Sequence, residues 1–177
     1  MTMAIAHAHG DRLVLDLIAE RRAPFSPESV VADFAATLRQ YRISRVKGDR
    51  YAGEWPREAF ERHGVTYVPA ESSKSEAYLA FLPLLNSGRA ELVDHPRLLA
   101  QLCALERRTA RGGQDSVDHP PNAHDDVANA VALAMVEVSR GKAPMVIHPA
   151  VLERSRHAKS TPRWRLVPDV SWPVGSW

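Results

Sequence analysis

Ile43-Ser44-Arg45-Val46-Lys47-Gly48-Asp49-Arg50-Tyr51-Ala52-Gly53-Glu54-Trp55-Pro56 is the stretch on which the fold turns. Residues 43–47 read as a short strand that stops at Gly48-Asp49, and Trp55-Pro56 opens a short helix that Gly64 closes. A carboxylate placed directly after a strand of an open α/β sheet points into the crevice where such sheets bind ligands. Asp49 is therefore the first candidate for chemistry, beside the plainer reading of Asp as turn chemistry.

Working outward, Ala4-Ile5-Ala6 and residues 13–18 predict two strands joined by the turn His9-Gly10-Asp11, an antiparallel hairpin. Ser26-Pro27 predicts a helix start with a capping hydroxyl and proline at the first helical position, and Val30, Phe34, Leu38 and Tyr41 supply its apolar face. On the other side, residues 65–68 predict a strand ended by Pro69. Ser73 is placed to cap a helix carrying Ala77, Leu79, Leu82 and Leu85. Residues 90–93 predict a short strand, 96–105 a helix, and 107–122 an irregular loop rich in Arg, Gly and Pro. Residues 123–140 predict a strong helix with Asp125 and Asp126 in its first turn, where the helix dipole favours negative charge. This order defines an α/β chain that begins with a hairpin. The domain is expected over 1–141. Residues 142–177, with scattered Pro and Arg and with Trp164, Trp172 and Trp177, are expected to form an irregular tail that packs back or docks on a partner.

Composition narrows the class. The 177 residues suit one domain with an extension, and 45% hydrophobic with 25% charged residues is a globular balance. The single cysteine, Cys103, excludes an internal disulfide and a thiolate metal cage. It lies in an apolar helical pattern and is expected to be a core thiol in a reducing, cytoplasmic setting. The first residues lack the basic start and apolar core of a signal peptide, and the longest apolar run, 130–136, is too short for a membrane span. A net charge of +2 decides nothing about nucleic acid. The clusters Arg107-Arg108-Arg111 and Arg154, Arg156, Lys159, Arg163, Arg165 suit either phosphate neutralisation or a solvated surface.

Asp125 and Asp126 follow His124 and a Pro-Pro-Asn-Ala loop. Carboxylates from a strand end and a helix start can converge on a hard cation, which takes oxygen ligands. Two such ions ~4 Å apart stabilise the attacking and leaving oxygens of phosphodiester cleavage. The plainer alternative for a helix-start Asp is a cap.

The segment Gly48–Pro56 resembles the second acidic motif of phage terminase large subunits, and His124-Asp125-Asp126-Val127-Ala128-Asn129-Ala130 resembles their third. Lys74-Ser75 before Tyr78, Leu84-Leu85-Asn86-Ser87-Gly88, and Leu105-Glu106-Arg107-Arg108 follow the family in order and approximate spacing, so the likeness spans roughly 3–140. It implies an RNase H-like mixed sheet flanked by helices. It also implies an endonuclease with Mg²⁺ or Mn²⁺ at clustered acids, cutting concatemeric double-stranded DNA in the host cytoplasm, with the portal and small terminase subunit as partners. Carried over by position, Asp49 and Asp125 become catalytic metal ligands, with Asp126 as the alternative or supporting ligand. Lys74, Arg107, Arg108 and His124 become candidate DNA contacts.

The family's first acidic motif, on a strand before the hairpin, has no counterpart here, and no Gly-x-x-x-x-Gly-Lys-Ser/Thr phosphate loop of its ATPase domain occurs. The sheet is therefore expected to lack its central first strand. A truncated product, a prophage remnant and a misplaced start are the readings this leaves open. Asp16 is the substitute acid one would consider, although Leu15-Asp16-Leu17 fits ordinary strand alternation. Two activities follow: a terminase-type endonuclease, or a catalytically incomplete domain that only grips DNA or packaging partners. A resolvase- or transposase-type nuclease is the third possibility, disfavoured by the Gly48–Pro56 and Asn86-Ser87-Gly88 segments.

Overall fold

A computed structural model of the chain describes residues 1–48, 54–109 and 112–141. Asp49, Arg111 and the whole 142–177 segment, with its tryptophans and basic cluster, lie outside the described residues.

Strands β1 (Thr2–His9) and β2 (Arg12–Glu20) form the expected antiparallel hairpin, and Gly10 takes the left-handed conformation at its tip (φ +60°). The pairing is irregular at one point. Ile5 faces Leu17 and Ala6 faces Leu15, so Asp16 has no opposite residue and forms a bulge. Ordinary alternation at Asp16 is thus corrected: Leu13 and Leu15 belong to one core cluster, Leu17 and Ala19 pack on the other, and Ile18 returns to the first. The Asp16 carboxylate pairs with His7 Nδ1 at 2.8 Å.

Helix α1 (Pro27–Gln40) follows with proline in its first turn. Ser26 takes the extended cap conformation, but its side chain makes no capping bond, contrary to expectation. Strand β3 (Arg45–Gly48), helix α2 (Glu54–Arg62) and strand β4 (Thr66–Pro69) come next, with β3 and β4 parallel and Val46 opposite Tyr67. Helix α3 (Lys74–Asn86) carries a full capping box: Glu76 N–H donates to Ser73 Oγ, and Ser73 N–H donates to the Glu76 carboxylate at 2.7 Å. Strand β5 (Ala90–Glu91) lies parallel to β2, and helix α4 (Pro96–Ala104) follows.

The segment read as loop contains an antiparallel hairpin, β6 (Glu106–Thr109) and β7 (Asp115–Asp118). Helix α5 (Asp126–Ser139) closes the described chain. Cys103 is exposed, which corrects the core reading: Leu98 and Gln101, one turn apart, are the residues α4 turns inward.

The β1–β2 hairpin carries helices on both faces. On one face Ala6, Leu13 and Leu15 pack with Tyr78 and Phe81 of α3, Leu98 of α4, and Val127, Val131 and Met135 of α5. On the other, Ile5 packs with Val31, Phe34 and Leu38 of α1, Phe60 of α2, and Tyr67 of β4. Among the described residues, β1-β2-β5 and β3-β4 are separate sheets, with no strand joining β1 to β3. None of the described helices is long and apolar enough to cross a membrane.

Candidate metal centre

The start of α5 presents two adjacent carboxylates in different surroundings. Neighbouring helical positions point about 100° apart, so Asp125 and Asp126 cannot share an environment. The cap reading fails for Asp125: it stands at the N-cap position, but its side chain makes no cap bond. Gln101 takes over that work, its buried Oε1 accepting from Val127 N–H at 2.9 Å and Ala128 N–H at 3.0 Å. These are donors that a helix start would otherwise leave unpaired.

Released from capping, the Asp125 carboxylate is 8% exposed and turns toward α3 and β7. Tyr78 Oη donates to it at 2.8 Å, and Lys74 Nζ lies 3.1 Å away. Lys74 also donates to Asp118 at 2.6 Å, so its ammonium bridges the two carboxylates. The capping box sets this up by fixing the first turn of α3, where Lys74 and Tyr78 stand four residues apart on one face. Ser75 Oγ accepts from Val117 N–H at 2.9 Å and docks β7 on the same turn.

The electrostatics follow from this packing. Burial, then the hydrogen bond to Asp125, pushes the Tyr78 phenol far above its ordinary range, so it acts only as a donor. Burial lowers the Lys74 ammonium, but its bonds to Asp118 and Asp125 and their charges together outweigh that and leave it raised. The Lys74 bond holds the Asp118 carboxyl below the usual range, against partial burial.

Asp118, His119 and Asp125 each offer a ligand atom within 4.8 Å of the others. His119 Nε2 stands 3.8 Å from both Asp118 and Asp125. The donor types suit a divalent cation, but Lys74 already supplies positive charge between the two carboxylates.

Asp126 is exposed and opens elsewhere, onto a cleft of about 500 Å³ that Lys47 and Gly48 of β3 also line. Gly48 is required there, because a Cβ on it would fall 2.1 Å from the Tyr67 hydroxyl. Tyr67 is itself stacked on Phe60 at 5.9 Å. Asp49 is the next residue in the chain. Inside the cleft Lys47 Nζ meets Glu137 Oε2 at 2.5 Å.

The remaining sequence candidates are scattered. Arg107 and Arg108 are exposed on β6; Arg107 pairs with Asp115 across the hairpin, and Arg108 with Glu106 at 2.7 Å. His124 is exposed, one residue before Asp125. Lys74 is brought to Asp125, while the hairpin arginines are not. Gln101, Asp118 and His119 are parts of this region that sequence reasoning missed. Asp118 and His119 lay in a stretch read as loop, and nothing in an apolar helix marks Gln101 as a cap for another helix.

A hairpin-led mixed sheet with helices on both faces, ending in a helix that starts with carboxylates, is an RNase H-like α/β architecture. The chain has the fold of phage large-terminase nuclease domains. The nuclease of the large terminase from thermophilic phage G20c superimposes with a TM-score of 0.59 at 17% identity, over 75% of this chain and 81% of that one. The same nuclease with bound magnesium gives 0.59 at 18%, over 76% and 80%. The HK97 bacteriophage large terminase gives 0.60 at 15%, over 75% of this chain and 35% of that one. No protein-family model and no curated protein matches the sequence.

Proposed function

We propose that this chain is the metal-dependent DNA endonuclease domain of a large terminase subunit, acting on double-stranded DNA during viral DNA packaging. One observation carries the reading: Asp126 opens onto the same cleft as the end of β3, whose last residue directly precedes Asp49. The cleft thus joins the start of α5 to the end of a strand far from it in sequence, within a fold shared with a nuclease solved with bound magnesium.

The donor set fits Mg²⁺ or Mn²⁺, which take carboxylate and water oxygens. Asp49 and Asp126 would hold the metal. When bound, it supplies Lewis-acid polarisation and charge neutralisation at the scissile phosphodiester. Asp125 has a positioning role: anchored by Tyr78 and Lys74, it fixes the first turn of α5 and so the direction of Asp126. Arg107, Arg108 and His124 are exposed; for the two arginines, meeting phosphates means exchanging a carboxylate partner for DNA. The portal and small terminase subunit are the packaging partners this function entails.

Plasmid nicking with Mn²⁺ tests the assignment. Asp49→Ala and Asp126→Ala bring cleavage to the metal-free background, while Asp125→Asn lowers it without abolishing it. Full cleavage by Asp126→Ala rejects the assignment. Loss in Asp125→Asn alone, with the fold intact, moves the centre to the Asp118–His119–Asp125 cluster. The second reading, a domain that grips DNA without cutting, applies if Asp125 is the ligand that cleavage needs, because the Lys74 ammonium is already seated on it. Salt-dependent binding with no Mn²⁺-dependent nicking selects it.

A further inference from the structure

Three helix starts share one arrangement, and α5 departs from it. Ser26, Ser73 and His95 precede α1, α3 and α4 in the extended conformation usual for a capping residue, with ψ of 118°, 163° and 107°. Asp125 precedes α5 with φ −130° and ψ 19°, and its carboxylate makes no cap bond. Aspartate is otherwise among the best capping residues, serving the N–H groups two or three positions on. In α5 those groups belong to Val127 and Ala128, and Gln101 Oε1 takes both, at 2.9 Å and 3.0 Å.

Gln101 reaches α5 from α4, where it is 8% exposed and one turn from the buried Leu98. A buried amide so placed is held to its partners, because leaving them unmade costs desolvation. Asp125 is thereby left with the partners on α3, Tyr78 Oη at 2.8 Å and Lys74 Nζ at 3.1 Å. One carboxylate does not serve both ends: capping goes with extended backbone, and the bonds to α3 go with ψ 19°. The helix dipole favours a carboxylate at the start of α5 in either arrangement. It does not choose between them, so the occupancy of the Val127 and Ala128 N–H groups does.

We infer that Gln101 is a positioning residue for the metal centre. By capping α5 from another helix it keeps Asp125 out of the cap and on Tyr78 and Lys74, and so holds the first turn that opens Asp126 onto the cleft. Without Gln101, Asp125 turns back to the extended conformation, accepts from Val127 or Ala128 N–H, and leaves the buried Tyr78 hydroxyl without its carboxylate. Loss of Gln101 therefore costs stability in either arrangement, but only the turned one disarms the site. The catalytic consequence rests on the nuclease reading; the exchange of partners does not.

Amide hydrogen exchange of the full chain tests the exchange of partners without DNA or metal. Gln101→Met keeps the length of the side chain and removes the acceptor; Gln101→Ala takes its place if the methionine variant does not fold. Exchange at Val127 and Ala128 is read relative to Val131 of the same helix. Asp125→Ala alone leaves both amides within about threefold of the native chain, because Gln101 still holds them. Gln101→Met keeps one of the two protected, and adding Asp125→Ala makes both exchange about tenfold faster or more. Fast exchange of both amides in Gln101→Met alone overturns the inference, as does a double variant that matches Gln101→Met. Plasmid nicking with Mn²⁺ reads the consequence. Gln101→Met lowers kcat about tenfold or more with KM for DNA unchanged. Gln101→Glu, which restores a buried acceptor at the helix start, recovers most of the loss. Full kcat in Gln101→Met, with the exchange of partners observed, rejects the positioning role. No nicking by the native chain rejects the nuclease reading instead, and the amide measurement still decides where Asp125 turns.

Discussion

Helix α5 has a closed side and an open side, and the contrast between them explains much of the molecule. Toward α3, α4 and the β1–β2 hairpin it buries Val127, Val131 and Met135 completely. Toward β3 its residues Ala130, Leu133 and Ala134 line a cleft, and Glu137 keeps an oxygen without a hydrogen bond among the described residues. The same helix thus contributes stability on one side and leaves binding potential on the other. The sheet hydrogen bonds that would make both sides equivalent are absent between β1 and β3 among the described residues.

Two pairs of substitutions and one change of pH probe this contrast. Met135→Ala on the closed side is expected to cost about 2–5 kcal/mol, as deletions in packed cores do. Leu133→Ala on the open side should cost about 1 kcal/mol, since its side chain already borders empty space. Urea unfolding of the pair decides it, and equal losses would show that the cleft wall is packed as tightly as the core. Next in size are the helix starts. Gln101→Ala strands two buried N–H groups of α5 and should cost about 1–3 kcal/mol. Ser26→Ala at the start of α1 removes no bond and should stay within about 0.5 kcal/mol.

The smallest effect concerns acid. The Asp118 carboxyl is depressed by the Lys74 bond, so its contribution is present above the unfolded value near ~3.9 and fades as pH falls through the lower folded value. Asp118 is more than half exposed, which keeps the effect modest. Hairpin amide exchange measured across the acid range should therefore rise in the native chain. Asp118→Asn should start high and lose the pH dependence.

Much of the fold was readable because its signals are local. Ser73 with Glu76 three residues on is a complete capping box in the sequence and in space. His9-Gly10-Asp11 reads as a turn and is one. The β6–β7 hairpin escaped because its strands are polar: Arg107 faces Val117 and Thr109 faces Asp115, so no apolar alternation marks them. The oppositely charged runs flanking Gly112-Gly113 were the available signal.

Cys103 misled for a rotational reason. Leu98, Leu102 and Cys103 all look apolar, but α4 is turned so that Leu98 and the polar Gln101 face in, Gln101 being satisfied by backbone donors of α5. At the candidate site, sequence located the start of α5 and the end of β3 but not which aspartate faces which neighbour. That choice depends on the roll of the helix about its axis, which Gln101, Tyr78 and Lys74 set from other elements.

The bulge at Asp16 carries a consequence for how this hairpin can vary. It works as a phase inverter: before it the odd-numbered residues of β2 face α5, and after it the even-numbered ones do. Deleting Asp16 would make Leu15 and Leu17 neighbours, so ordinary alternation would hold them on opposite layers, as the bulge does now, and the pairing of Ala6 with Leu15 and Ile5 with Leu17 would become regular. Ironing the bulge out at unchanged length is what would exchange the layers, turning Leu17 and Ala19 toward α5 and Ile18 away from it. A related chain can therefore lose one residue here and keep both cores, whereas one that kept the length and lost the bulge would have to exchange them.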